Sequence, residues 1–151
     1  MKNLFVCHGN ICRSAAAEMV TLKLLEDRGL TGRVTVDSAA TSAEELGCDV
    51  YPPMKRALGA AGVPCRPHQA RQTVRGDYGR YDHIICMDHA NYRRLLSIYG
   101  GDPQAKLSLL SDWAGHPGRE IDDPWYTGEF DKALRQIMAG CEGLLTRVTA
   151  D

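Results

Sequence analysis

Short apolar runs alternate along the chain with longer stretches in which apolar residues recur every three or four positions. The short runs are rich in strand-forming residues and predict strands over 2–7, 33–40, 83–87 and 106–110. The periodic stretches predict helices after Ser14, at 53–61, at 73–79, at 89–99 and from Phe130 to Val148. The segments 41–53, 63–72 and 111–128 lack either pattern and are interpreted as loops.

Strands that alternate with helices are typical of an α/β fold, in which helices cover both faces of a parallel sheet. The chain contains no internal repeat, low-complexity tract or linker, so we expect a single domain over 1–151 with four parallel strands. Ser14 is suited to cap the first helix and Gly29 to end it, and Asp88 is suited to cap the helix at 89–99.

Composition excludes several classes of function. The 151 residues carry 18 basic and 19 acidic side chains, for a net charge of -1, whereas nucleic-acid-binding proteins normally show a basic excess. No apolar run approaches the roughly 20 residues that span a bilayer. The apolar run at the amino end is too short for a signal peptide. We therefore expect a cytoplasmic protein with neither a nucleic-acid nor a membrane partner.

Six cysteines are spread along the chain without a Cys-x-x-Cys pair or zinc-finger spacing to a histidine. A disulfide framework is not expected in a chain of this size and compartment. Cys86 and Cys141 are interpreted as small core residues. No cofactor and no metal site are expected.

The segment that follows the first strand carries the candidate chemistry. Cys7-His8-Gly9-Asn10-Ile11-Cys12-Arg13-Ser14 lies between a strand and a helix, where backbone N–H groups and the helix dipole favour a phosphate-sized anion. Arg13 can bind two oxygens of that anion, and a cysteine in such a field is readily deprotonated. Ser14 can donate a hydrogen bond to the thiolate. The alternative is an ordinary turn with a buried cysteine and a surface arginine.

A second candidate segment is Asp122-Asp123-Pro124-Trp125-Tyr126, in the loop before the last helix. Cleavage of an aryl phosphate needs an acid for the leaving oxygen and then a base for water. An aspartate beside a rigid proline and two aromatic rings suits both roles, although Asp-Pro alone is a common turn dipeptide.

Together these segments resemble the low-molecular-weight protein tyrosine phosphatases, whose signature is V-C-x-G-N-x-C-R-S-P. Val6 to Ser14 match it, and Ala15 stands where the family usually has proline, a change expected to affect stability more than chemistry. The family's D-P-[YFW]-Y element is matched at Asp123 to Tyr126. Further similarity is found at 36–39, 68–72 and 85–88, so the resemblance covers essentially the whole chain.

The resemblance implies that Cys7 is the nucleophile, Arg13 the phosphate clamp and Asp123 the general acid and base. It also implies phosphate or substrate contacts for His8, Gly9, Asn10, Ile11, Cys12, Ser14, Trp125 and Tyr126, and a loop-supporting role for Ser38 and His68. His68 can also be an ordinary loop histidine, and the two aromatic residues can be surface packing. The partner is a tyrosine-phosphorylated protein, and the enzyme is expected to be a monomer, with a weak dimer as the alternative.

Two other functions remain open at this stage. Arsenate reductases share the fold, but they pass electrons through two further cysteines near the third strand, where this chain has only Cys86. A phosphotyrosine-binding module would need neither a nucleophile nor an acid. The spacing of Cys7 and Cys12 also predicts a reversible disulfide under oxidation, unless Cys12 only packs the loop.

Overall fold

The computed structural model describes residues 1–150. Over this range the strands are β1 (Lys2–Cys7), β2 (Thr35–Ala40), β3 (His83–Cys86) and β4 (Leu107–Leu109). The helices are α1 (Arg13–Asp27), α2 (Pro52–Ala60), α3 (Asp77–Arg80), α4 (His89–Tyr99), α5 (Leu110–Trp113), α6 (Pro124–Thr127) and α7 (Phe130–Val148). The predicted α/β fold with four parallel strands is confirmed.

The strands form one parallel sheet in the order β2-β1-β3-β4. After β1 the chain crosses to one side for β2 and then to the other side for β3. The carboxyl edge between β1 and β3 is therefore the switch point at which sheets of this kind bind ligands. Val6 pairs with Cys86 at this edge, so the residues that follow both strands emerge side by side.

Alternating side chains of β1 enter two separate cores. Phe5 lies in the core formed with α1, α2 and α7, whereas Leu4 and Val6 lie in the core formed with α4. Cys86 and Cys141 are fully buried, as predicted. Helices thus cover both faces of the sheet. Strand β1 packs against a core on each face and pairs with β2 and β3 along its two edges.

The differences from the predicted elements are local. Helix α1 begins at Arg13 with Cys12 at its N-cap, so Ser14 is not the cap, because its hydroxyl is engaged by the loop before the helix. The predicted loop at 111–128 is wrong in part, since it contains most of α5 and all of α6. The helix predicted at 73–79 is a single turn, α3. Asp88 caps α4 as predicted, and its side chain accepts from the Asn91 N–H.

No helix within residues 1–150 is both long enough and apolar enough to cross a bilayer.

Candidate active site

Residues 8–12 connect β1 to α1 in a tight loop, in which His8 is exposed and Asn10 to Cys12 are buried. Asn10 adopts a left-handed backbone conformation with φ of 59°, which asparagine tolerates better than most residues. Its side-chain amide donates to Ser14 Oγ at 2.9 Å, and its Oδ1 accepts from the Arg71 N–H at 3.1 Å. These two hydrogen bonds hold the reversed backbone in place.

The backbone donors of this loop are unpaired. Among residues 1–150, no acceptor receives a hydrogen bond from the backbone N–H of any residue from His8 to Cys12. The first N–H groups of α1 lack intrahelical partners by the geometry of any helix. Asn10, Ile11 and Cys12 are buried, and buried donors without a partner in the chain require an acceptor from outside it. An anion at a helix N-terminus supplies such an acceptor.

Cys7 ends β1 and is nearly inaccessible, at 3% exposure. Its Sγ lies 3.0 Å from Ser14 Oγ, which also accepts from Asn10. With the Asn10 amide as donor, the serine hydrogen is left for the sulfur or for the Ala39 carbonyl at 3.4 Å. A thiolate at Cys7 would take that hydrogen, because hydrogen bonds to charged acceptors are the stronger ones.

Arg13 is 2% exposed, and one of its nitrogens is fully engaged. Nη1 donates to Asp88 Oδ2 and to the Ile121 carbonyl, both at 2.8 Å. Nη2 lies 3.5 Å from Asp123 Oδ2. Burial lowers the pKa of Arg13, but the charges of Cys7 and Asp123 and the Asp88 hydrogen bond outweigh it and raise the pKa. The guanidinium therefore stays charged.

Asp123 is the N-cap of α6, and its Oδ1 accepts from the Trp125 N–H at 3.1 Å. Its other oxygen faces Arg13, and its side chain is 23% exposed. The neighbouring Asp122 is exposed and does not line the cleft. The short helix α6, started by Pro124, therefore aims the second of the two carboxylates at the loop.

These groups surround one cleft of about 130 Å³. Its floor is the loop from Cys7 to Arg13, and one wall is formed by Asp123, Trp125 and Tyr126. The Trp125 ring rests on Tyr51 at 4.7 Å between centroids. Tyr126 remains 83% exposed at the mouth. A cleft with anion-binding groups at its floor and one aromatic wall fits a planar aromatic group that ends in an anion.

A second layer of polar side chains supports the loop from behind. His68 Nε2 lies 2.6 Å from the Asn10 carbonyl, and Ser38 donates to Glu18. Burial raises the pKa of Glu18, against the opposing effects of the Ser38 hydrogen bond and the nearby charge of His68. Within residues 1–150 the Ser38 hydroxyl therefore contacts Glu18 and makes no hydrogen bond to the loop itself.

Comparison with known proteins decides the family. The family model of low molecular weight phosphotyrosine protein phosphatases matches residues 2–151. The chain belongs to this family. That membership makes it a protein-tyrosine phosphatase and disfavours the arsenate reductase alternative.

Individual proteins match this chain over nearly their whole length. The phosphotyrosine phosphatase of Pongo abelii is 38% identical over 151 residues, covering 95% of this chain and 93% of its own. The crystal structure of YfkJ from Bacillus subtilis superposes with a TM-score of 0.93 at 33% identity, covering 98% and 94% of the two chains. The Drosophila arginine phosphatase superposes at 0.85 with 30% identity, covering 100% and 99%.

Two further features of the phosphatase site bear on its chemistry. Burial, with the charges of Cys7 and Asp123, raises the pKa of the Cys12 thiol well above its ordinary value. Cys12 therefore stays protonated beside Cys7. Within the described part of the chain, no three histidine, cysteine or acidic side chains are grouped as a metal site would require.

The sequence pattern missed several residues of the site. Asp88, the Ile121 carbonyl and Tyr51 contact catalytic or lining groups from distant parts of the chain. Glu44 and Glu45 also line the cleft, and Glu44 Oε2 lies 2.9 Å from His8 Nε2. Only Asp88 carried a usable signal, because it follows β3 at the switch point beside the loop after β1.

Proposed function

We propose that this enzyme hydrolyses phosphotyrosine in proteins, and small aryl phosphates, through a phosphocysteine intermediate. The observation that carries the proposal is the set of unpaired N–H groups from His8 to Cys12, in the loop that follows Cys7 and lines the same cleft. A phosphoryl dianion held by those donors has its phosphorus next to the nucleophile.

In the first step the Cys7 thiolate attacks phosphorus and the bond to the phenolic oxygen breaks. Arg13 has Nε and Nη2 left to bind two phosphoryl oxygens, because Asp88 and Ile121 occupy Nη1. Asp123, protonated at this stage, gives its proton to the leaving oxygen. The products are tyrosine and a phosphocysteine, with Asp123 as a carboxylate.

In the second step Asp123 takes a proton from water as the water attacks phosphorus. The S–P bond breaks, inorganic phosphate is released, and Cys7 leaves as a thiolate. Ser14, at 3.0 Å from the sulfur, donates to that thiolate and stabilises it as a leaving group. No metal takes part in either step.

The decisive test is Cys7→Ser, with Cys48→Ser as the control because Cys48 is exposed and lies outside the cleft. We expect Cys7→Ser to abolish turnover of an aryl phosphate while inorganic phosphate still binds, as measured by calorimetry. Cys48→Ser should keep full activity, and a chelator should not change the wild-type rate. Activity in Cys7→Ser, or its loss on chelation, would contradict the mechanism.

Two other substrates test the assignment further. Arsenate should be bound but not reduced, since Cys86 is fully buried in a core strand and cannot relay electrons. Phosphoarginine is included because one structural relative is an arginine phosphatase. The aromatic wall of Trp125 and Tyr126 supports an aryl group, so phosphotyrosine should be turned over faster than phosphoarginine.

We also propose that peroxide inactivates the enzyme reversibly. The Cys7 thiolate reduces hydrogen peroxide, giving a sulfenic acid and hydroxide, and the Cys12 thiol then displaces water to form a Cys7–Cys12 disulfide. Cys7 and Cys12 line the same cleft. Because Cys12 is protonated, closure should be faster at alkaline pH.

Mass spectrometry of the oxidised protein tests this switch. We expect the disulfide, recovery of activity with dithiothreitol, and protection by bound phosphate. Cys12→Ser should instead accumulate irreversibly oxidised Cys7. Sulfinic Cys7 beside a free Cys12 in the wild type would refute the switch and leave the phosphatase mechanism untouched.

The proposal also covers the domain organisation, oligomeric state, location and partner of the enzyme. It acts as one domain spanning 1–151, as a monomer, in the cytoplasm. All six cysteines are free thiols, the state usual in reducing compartments. Its partner is a tyrosine-phosphorylated protein, recognised at the exposed mouth of the cleft.

A further inference from the structure

Two clefts meet at the reactive centre. The first, described above, contains the loop after β1 and the aromatic wall. The second, of about 290 Å³, adjoins it and is lined by α4 residues on its far side. Both clefts share His8, Arg13, Asp123 and Tyr126. A peptide whose phosphotyrosine enters the first cleft can therefore extend into the second as well as along the outer rim of the first.

Two glutamates lie at the rim of the first cleft. Glu44 is hydrogen-bonded to His8, the residue next to the nucleophile. Glu45 packs against Gly9, where an added Cβ would come within 3.3 Å of Glu45 Cγ. Glu44 and Glu45 thus contact the first two residues of the phosphate loop, and among residues 1–150 the only basic side chains that line this cleft are His8, which is paired with Glu44, and Arg13 at its floor.

The second cleft has the opposite character. Asp88 and Asp123 line it, but both carboxylates lie within ion-pair distance of Arg13. Arg94 lines it from α4 and is exposed, and within residues 1–150 no carboxylate is in ion-pair distance of its guanidinium. One uncompensated positive charge therefore faces the substrate on the side away from Glu44 and Glu45.

We propose that the active site selects phosphotyrosine peptides by the charge of the residues that flank the phosphotyrosine. The favoured peptide places a basic residue beside Glu44 and Glu45 and an acidic residue beside Arg94. Complementary charges at a rim favour one orientation and disfavour the reverse. The inference rests on the proposed phosphatase function and names the substrate class of the same site.

Four phosphotyrosine peptides of equal length test the proposal. They carry lysines before and glutamates after the phosphotyrosine, the reverse order, lysines on both sides, or glutamates on both sides. Each kcat/KM is divided by that of phenyl phosphate for the same protein at low salt. One of the two mixed peptides should exceed the other by about ten-fold, since each exposed charge contact changes binding by about two- to five-fold.

Variants then assign the two sides. Glu44→Gln with Glu45→Gln should reduce the preference for lysine on one side, and Arg94→Gln should reduce the preference for glutamate on the other. Reversing all three charges, with lysine at 44 and 45 and glutamate at 94, should invert the order of the mixed peptides. The controls are Arg93→Gln, next to Arg94 but outside the cleft, and Glu142→Gln on α7, which should leave the preference unchanged.

The outcomes are distinguishable. Equal rates for the mixed peptides, or an orientation preference that survives all three charge reversals, would overturn the inference while phenyl phosphate turnover continued. A protein that turned over neither phenyl phosphate nor any peptide would instead contradict the proposed function itself.

Discussion

The Arg13 guanidinium has two separate tasks: one nitrogen holds the side chain in place, and the remaining edge faces the cleft. Its Nη1 is held by Asp88 and the Ile121 carbonyl, and both come from segments that follow other strands. Its remaining edge faces the cleft with a fixed orientation. Lysine has a single nitrogen on a flexible stem and could not do both, so this arrangement explains the need for arginine.

The assignment of Asp123 as the general acid gives a prediction about a single residue. Asp123→Asn should slow the chemical step by about 10²–10⁴-fold, the range expected for one general acid–base group. The defect should shrink for aryl phosphates with acidic leaving groups, because these need no proton as they depart. Rates measured across a series of substituted phenyl phosphates would show how the defect depends on the acidity of the leaving phenol.

Asp122→Asn is the matched control, since Asp122 is exposed and lies outside the cleft. It should keep near-normal rates and the same dependence on the leaving group. A defect in Asp122→Asn with an intact Asp123→Asn would reverse the assignment.

Sequence reasoning worked best where chemistry lies in one short segment. Cys7, Arg13 and Ser14 could be grouped because the loop after β1 holds them within eight residues. Ser14 was nevertheless misassigned as the helix cap, because capping and binding a thiolate use the same hydroxyl. Glu44 and the Ile121 carbonyl reach the site across the fold, and nothing in their local sequence indicates those contacts.

At the scale of elements, α5 and α7 approach each other closely at two glycines. A Cβ added to Gly143 would lie 1.9 Å from the Trp113 carbonyl oxygen, and one added to Gly140 would lie 2.4 Å from Leu110 Cγ. The Trp113 contact is to backbone and cannot be relieved by a rotamer change. Helix α7 therefore uses glycine in its interior despite the loss of helix propensity.

Gly143→Ala should consequently lower the free energy of unfolding by about 3 kcal/mol, the upper range for overpacking. Gly59→Ala in α2 is the matched control, because no atom lies within 4 Å of its added Cβ. It should raise the free energy of unfolding by about 0.5–1 kcal/mol through helix propensity alone. Urea unfolding of both variants measures the contrast, and equal effects would contradict the packing argument.

The length of a helix or strand decides whether a sequence pattern can predict it. Helices α1, α4 and α7 were predicted to within a few residues because each repeats its pattern over several turns. The strands were predicted because each is a short apolar run of strand-forming residues. Helices α5 and α6 are single turns of four residues, too short for any period to develop. They were therefore interpreted as loop, although α6 carries the proposed acid.

Across the whole molecule, a buried carboxylate links the site to the rest of the fold. Asp77 is 1% exposed and accepts from Thr73, the Val74 N–H and Arg71. The Arg71 N–H in turn donates to Asn10, so Asp77 supports the phosphate loop from a distance. Burial raises the pKa of Asp77, but the hydrogen bonds from Val74, Thr73 and Arg71 outweigh it and lower the pKa.

Asp77→Asn should reduce the free energy of unfolding by roughly 1–3 kcal/mol at neutral pH, as for loss of hydrogen bonds to a buried charged group. Because the folded pKa lies below the ordinary value, the contribution is complete above about pH 4 and is lost as the pH falls through the folded pKa. The gap between wild type and variant should close in strong acid. Unfolding followed from pH 7 to 2 tests this, and a constant gap would contradict it.

The order of the groups along the chain has a consequence for the protein during synthesis. Cys7 leaves the ribosome 116 residues before Asp123, and β1 cannot pair with β3 until His83–Cys86 have been made. A growing chain thus carries the thiol long before it has the acid or the Ile121 carbonyl that orients Arg13. Turnover is withheld until Asp123, the proposed acid, has been made, whereas the Cys7 thiol is open to oxidants from its own synthesis onward.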